Sequence, residues 1–152
     1  MKNIFSMLLW LCLLLWNNTA TAQIAVGTII DGTPMLTMTN AQLTDTFAYI
    51  LNNATLSNST VESATDSLGQ LFYIKSAGTR SNQDNPSKIA IILSVNGNNL
   101  VFDNSNGCTM ECTASLPCQT CDQVIFERCA RQRCSCQSPS GGCNSSISFP
   151  NR

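Results

Sequence analysis

The sequence predicts an α+β to mostly-β fold: a small antiparallel sheet, one helix and a disulfide-bound C-terminal subdomain. Three observations carry this. Residues 88–95 form an apolar run with the two-residue alternation of a strand, one segment near 39–52 has helical spacing, and eight of the nine cysteines fall between 108 and 143. At 152 residues the chain amounts to one domain with room for a small appended module.

Residues 1–22 read as a secretion signal. Lys2 supplies the positive charge, Ile4 to Trp16 is a mainly apolar run, and Ala20-Thr21-Ala22 marks cleavage before Gln23. The apolar run is shorter than the roughly 20 residues a membrane-spanning helix needs. Cys12 is no lipid attachment site, because Leu11 stands where a small residue is wanted. Without this segment the net charge moves from −1 to −2, because Lys2 leaves with it.

The next elements form a body, residues 23–107, that contains no cysteine. Ile24 to Ile30 is a β-branched strand that ends at the turn signal Asp31-Gly32. Thr39 to Asn52 is the helix: Leu43, Phe47, Ile50 and Leu51 share one face, and Thr39 with Gln42 forms a capping box. The Ser-, Thr- and Asn-rich stretch 53–67 reads as loop, with at most a short irregular strand. Leu71–Ser76, Lys88–Val95 and Asn99–Phe102 then make a three-stranded meander, the last turn being Asn96-Gly97-Asn98. Apolar residues on both faces of 88–95 place that strand at the centre.

Residues 108–152 are a cysteine-rich subdomain with Cys108, Cys112, Cys118, Cys121, Cys129, Cys134, Cys136 and Cys143. An even count behind a secretion signal reads as four disulfides, because exported chains meet oxidising compartments. The connectivity stays open among 105 arrangements; Cys134 and Cys136, one residue apart, are expected to pair outward. Two other chemistries compete. Cys118-Gln-Thr-Cys121 is a C-x-x-C that elsewhere serves as a redox pair, and the eight thiols could form two four-sulfur metal or cluster sites. Arg128, Arg131 and Arg133 are the one basic concentration, read either as a solvated face or as a clamp for carboxylate or sulfate. Triplets of the Asn-x-Ser/Thr type at Asn53, Asn58 and Asn144 are as frequent as chance gives in so polar a chain.

The run Cys108-Thr-Met-Glu-Cys112-Thr-Ala-Ser-Leu-Pro-Cys118-Gln-Thr-Cys121, with Cys134-Ser-Cys136 and Cys143-Asn144, resembles a group of uncharacterised small secreted bacterial proteins. Those share a C-T-x-x-x-P-C-x-x-C, C-x-C, C-N tail, and Phe72–Arg80 with Lys88–Phe102 is similar to the portion before it. The resemblance spans roughly residues 68–149 and implies an exported bacterial protein, with no activity and no catalytic residue attached. Cys129 departs from that pattern and leaves the pairing open.

Composition narrows function further. With no His, Ser–His and Cys–His nucleophiles and His-dependent metal sites are excluded. Eight Lys and Arg against nine Asp and Glu give no electrostatic footprint for nucleic acid. The expectation is therefore a secreted, periplasmic or extracellular protein, non-enzymatic, without cofactor or metal. Its partner would be an unidentified extracellular or envelope component, and no membrane span would remain after signal cleavage. Metal or cluster binding by the C-terminal cysteines is one alternative. A small hydrolase using Asp31, Asp45, Glu62, Asp66, Asp84 or Asp103 is another.

Overall fold

The computed structural model describes residues 23–81, 86–136 and 141–150; the signal segment lies outside them. Among the described residues, ten strands and one helix follow in order: β1 (Gln23–Ile30), β2 (Thr33–Leu36), α1 (Asn40–Phe47), β3 (Thr55–Asp66), β4 (Gly69–Thr79), β5 (Ser87–Asn96), β6 (Asn99–Asp103), β7 (Thr109–Ser115), β8 (Cys121–Glu127), β9 (Arg131–Cys136) and β10 (Gly142–Ser148). The mostly-β reading with one helix holds.

β5 is the hub. Its residues 88–91 pair with β7 on one edge and with β4 on the other, and its last residues, 94–96, pair with β6. From there the sheet extends through β6 to β1 and β2, through β4 to β3, and through β7 to β10, all antiparallel. The expected meander is present, and β1 joins it through β6. Turn chemistry fixes the registers. Asp31 and Gly32 both take positive φ between β1 and β2, and Gly97 does so between β5 and β6.

Alternation along β5 divides two apolar layers. Ile89, Ile91 and Leu93 face a core with Val26, Leu56, Phe72, Ile74, Leu100 and Phe102, closed by Leu43, Phe47 and Leu51. The rings of Phe47 and Phe102 meet edge to face at 4.9 Å. Ala90 and Ile92 face the opposite way, against Leu71, Met110 and Cys108, and Ile125 of β8 packs there with Ile147 and Phe149. Hairpin β8–β9 thus lies over the side of the sheet that α1 leaves bare.

Two expectations are corrected. The helix ends at Phe47 rather than running to Asn52. Leu51 still reaches the core because its N–H bonds to the Phe47 carbonyl, after which Asn52 and Asn53 turn the chain with positive φ. Its start is as expected: the Gln42 amide donates to Thr39 Oγ1 at 3.3 Å, and the Thr39 amide donates to Gln42 Oε1 at 2.9 Å.

The second correction is larger, since most of 53–67 is the twelve-residue strand β3. Among the described residues it pairs with β4 alone and needs few apolar side chains, so Leu56 and Val61 suffice to anchor its inner face. A bulge between Ser57 and Thr60, with Asn58 at φ 53, breaks the alternation that would have revealed it.

The sheet also crosses the compositional break at Gly107. β7 and β10 belong to the same sheet as the body, while β8 and β9 form a separate two-stranded unit above it. The strands of the tail carry little apolar sequence because sulfur fills their interior: Cys112, Cys118 and Cys121 form the buried centre of a third cluster.

Candidate functional site

The cysteine tail is where the structure concentrates its chemistry. Cys108 lies just before β7 and bonds to Cys129 in the turn between β8 and β9. Cys112 of β7 bonds to Cys134 of β9, Cys118 of the β7–β8 link to Cys136, and Cys121 of β8 to Cys143 of β10. The first four cysteines therefore pair with the last four in strict order. Each bond spans 18 to 22 residues, so the four interleave and none is nested in another. Cys134 and Cys136 pair outward as expected, and the C-x-x-C is split between two bonds.

This arrangement does not favour metal ligation, which takes free thiolates. The sulfurs of Cys118, Cys121 and Cys143 do lie within 4.8 Å of one another, and Cys118 Sγ is 3.9 Å from Cys143 Sγ. That closeness is the packing of two neighbouring disulfides.

Polar contacts complete the clamp. The Gln123 amide group donates to the Met110 carbonyl at 3.1 Å and to Gln132 Oε1 at 2.7 Å. Gln132 in turn donates to the carbonyls of Glu111 and Ser146, at 3.1 and 2.8 Å. Hairpin β8–β9 is thus hydrogen-bonded to the backbone of both β7 and β10.

Of the three arginines, Arg128 is an internal staple. Its Nε donates to Asp66 Oδ2 at 2.9 Å and its Nη2 to Oδ1 at 3.2 Å, tying the β8–β9 turn to the end of β3. The Arg128 hydrogen bond holds the Asp66 carboxyl down to about 2. Arg131 stands 3.8 Å from Glu127 with its side chain largely exposed, and Arg133 is exposed on the same strand. These two make the solvated face, and Arg128 is committed inside the protein.

Three of the carboxylates considered for hydrolysis, Glu62, Asp66 and Asp103, are likewise engaged, each in a separate place. Glu62 accepts from Tyr73 Oη and from Lys75 Nζ, both at 2.9 Å. Partial burial raises its pKa, but those two partners outweigh it and the net shift is downward. Burial, and next the bond to Glu62, pushes the Tyr73 phenol up to about 12. Asp103 accepts from the Ser105 hydroxyl at 2.6 Å, a bond that lowers its pKa. Asp31 sits in the β1–β2 turn and Asp45 on the exposed side of α1, while Asp84 lies outside the described residues.

Sequence reasoning missed Glu111. Its carboxylate takes a two-pronged bond from Arg80, with Nη2–Oε2 at 2.9 Å, and Arg80 Nη2 also donates to the Leu51 carbonyl at 2.8 Å. Burial raises the pKa of Glu111, yet the Arg80 bond prevails and it lies below its ordinary value. The two residues are 31 apart in sequence, so nothing local announces the pair.

A cleft of about 380 Å³ opens between the turn after α1 and the end of β10, lined by Tyr49, Ile50, Asn52, Ile147, Ser148 and Phe149. Tyr49 is 87% exposed at its rim. The three asparagines of the Asn-x-Ser/Thr triplets are all exposed, and Asn53 and Asn58 occupy left-handed backbone positions that asparagine tolerates well. Among the described residues, no helix is long and apolar enough to cross a membrane. Comparison with protein-family models, with curated proteins and with solved structures finds no match to this chain.

Proposed function

We propose that this disulfide-stabilised, mostly-β chain acts outside the cytoplasm as a non-enzymatic structural or binding module. The observation that carries the reading is the interleaved clamp, which places all eight cysteines after residue 22 in bonds. Such bonds persist where the compartment is oxidising, and a chain with so modest a core gains most from them. The Ala20-Thr21-Ala22 pattern before Gln23 agrees with export. Of the carboxylates considered for a hydrolase, Asp66 is held by Arg128, Glu62 by Lys75 and Tyr73, and Asp103 by Ser105, which suits a structural role. Function then resides in surface recognition of an extracellular or envelope component, with loops and strand edges as the contact elements.

Expression of the full chain in a bacterial host with an oxidising periplasm tests this. The expected product is exported, begins at Gln23, and weighs about 8 Da less than its all-thiol form. A soluble all-thiol product retained in the cytoplasm contradicts the reading. So does release of fragments when the purified protein is incubated with peptide or polysaccharide substrates.

A further inference from the structure

We propose that β10 is a pairing edge for a second copy of this chain, joining two sheets through antiparallel β10–β10 contact about a two-fold axis. The inference goes beyond the role assigned above and does not depend on it.

An open strand edge carries unpaired backbone N–H and C=O groups, and proteins that must stay apart blunt it with charge, proline, bulges or shortness. The other edges here are blunted in these ways. β2 has four residues and contains Pro34. β3 is bulged at Ser57/Thr60 and carries Glu62 and Asp66. The two-stranded unit carries Asp122 and Glu127 on β8, and Arg131 and Arg133 on β9.

β10 differs on every count. Its seven residues pair with β7 in unbroken register from Gly142 to Ser148, without bulge or proline. No charged residue occurs from Ser135 to Pro150. Asn144, Ser145 and Ser146 are exposed in succession, so both side-chain faces of the strand meet solvent.

Charge and symmetry select the occupant. The chain is net negative, and among the described edge strands β10 is the one longer than four residues that can lie against itself without setting like charges opposite each other. Two-fold pairing centred on Ser145 sets Asn144 against Ser146 of the second copy, twice, where amide and hydroxyl can hydrogen-bond. Outward-facing backbone groups recur at every second residue, and in this register each faces an outward-facing residue of the other strand. An isologous contact of this kind closes at two copies.

The test is the mass of the disulfide-bonded chain from Gln23 onward, by sedimentation equilibrium from micromolar to millimolar concentration. The expected result is a reversible monomer–dimer equilibrium. Two double variants locate it. Asn144→Lys with Ser146→Lys sets like charges opposite each other twice and weakens the dimer by about tenfold or more. Asn144→Asp with Ser146→Lys sets opposite charges together and restores or tightens it. Both changes are on exposed positions, and the deficit of about 8 Da confirms that each variant keeps its disulfides. A monomer throughout the range overturns the proposal, including the case in which β10 takes a foreign extended peptide instead. Equal dissociation constants in the two variants also overturn it.

Discussion

Removal of one bond from the clamp should cost less than its own loop suggests, because the other three already close most of it. Cys112 and Cys134 are 22 residues apart, and a lone disulfide of that span contributes about 3.4 kcal/mol in the chain-entropy model. With Cys118–Cys136 intact, however, the unfolded chain reaches from Cys112 to Cys134 by a short route, through residues 113–118 and back from Cys136. That effective loop is about eight residues, which lowers the contribution to about 2.5 kcal/mol.

The perturbation is Cys112→Ala, Cys134→Ala and the two together, measured by urea unfolding at equal pH. Because the residues are bonded, each single change already breaks the bond. All three variants should lose a similar amount, near 2.5 kcal/mol, with a larger dependence on urea as the unfolded state expands. A double variant that loses twice what either single variant loses would refute the pairing. A loss below about 1 kcal/mol in all three would refute the interleaved clamp as a source of stability.

Three further outcomes follow from the rest of the molecule. Glu111→Gln leaves Arg80 half-buried beside the Leu51 carbonyl without its counter-charge, and should cost about 2 kcal/mol in the same urea assay; an unchanged midpoint would contradict a structural role for the pair. Acid and alkali should both weaken the fold. The Asp66 carboxyl is depressed from 3.8 to about 2, so its contribution is present above pH 3.8 and lost as pH falls toward 2; Arg128→Leu should remove this step from an acid titration followed by circular dichroism. Tyr73 is raised from 10.0 to about 12, so its contribution is present below pH 10.0 and lost as pH rises through 12, a step that Tyr73→Phe should abolish. Finally, Gly27→Ala drives a Cβ into the Met35 carbonyl oxygen across the β1–β2 pair, where only backbone can yield; a loss of about 2 kcal/mol or more is expected in thermal unfolding, and a neutral result would contradict the register of β1.

Physical reasons separate what the sequence showed from what it hid. The β4–β5–β6 meander was legible because burial on both faces leaves Ile89, Ile91 and Leu93 alternating with Ala90 and Ile92. The helix was legible through Leu43 and Phe47 and its capping box, but its end was not. Leu51 keeps the helical spacing although it reaches the core from a turn. β3 was hidden because an edge strand buries little: Ser59 and Ser76 satisfy each other with a 3.0 Å hydrogen bond on its inner face, where an apolar pair would have signalled a strand. The tail strands were hidden because Cys112, Cys118 and Cys121 replace the apolar side chains that mark a core.

The candidate site divides the same way. Eight cysteines were found from composition, and their outward pairing at 134 and 136 from spacing. The order of the remaining bonds depends on how hairpin β8–β9 folds over β7 and β10, which no local pattern encodes. Arg128 gave the same difficulty: its partner Asp66 is 62 residues away. The cleft beside Tyr49 is likewise assembled from the turn after α1 and the end of β10.

The outermost bond of the interleaved clamp, Cys108–Cys129, and its separation from the other six cysteines can be tested by cleaving the unreduced protein after acidic residues and after arginine. Asp103, Glu111, Asp122, Arg128, Arg131 and Arg133 divide the tail so that Cys108 and Cys129 fall on separate short fragments. A two-fragment species is expected, residues 104–111 joined to residues 129–131, holding no other cysteine. The other six cysteines should appear in one species, residues 112–122 joined to residues 134–152. A Cys108 fragment joined to residues 134–152, or released with a free thiol, would contradict the clamp.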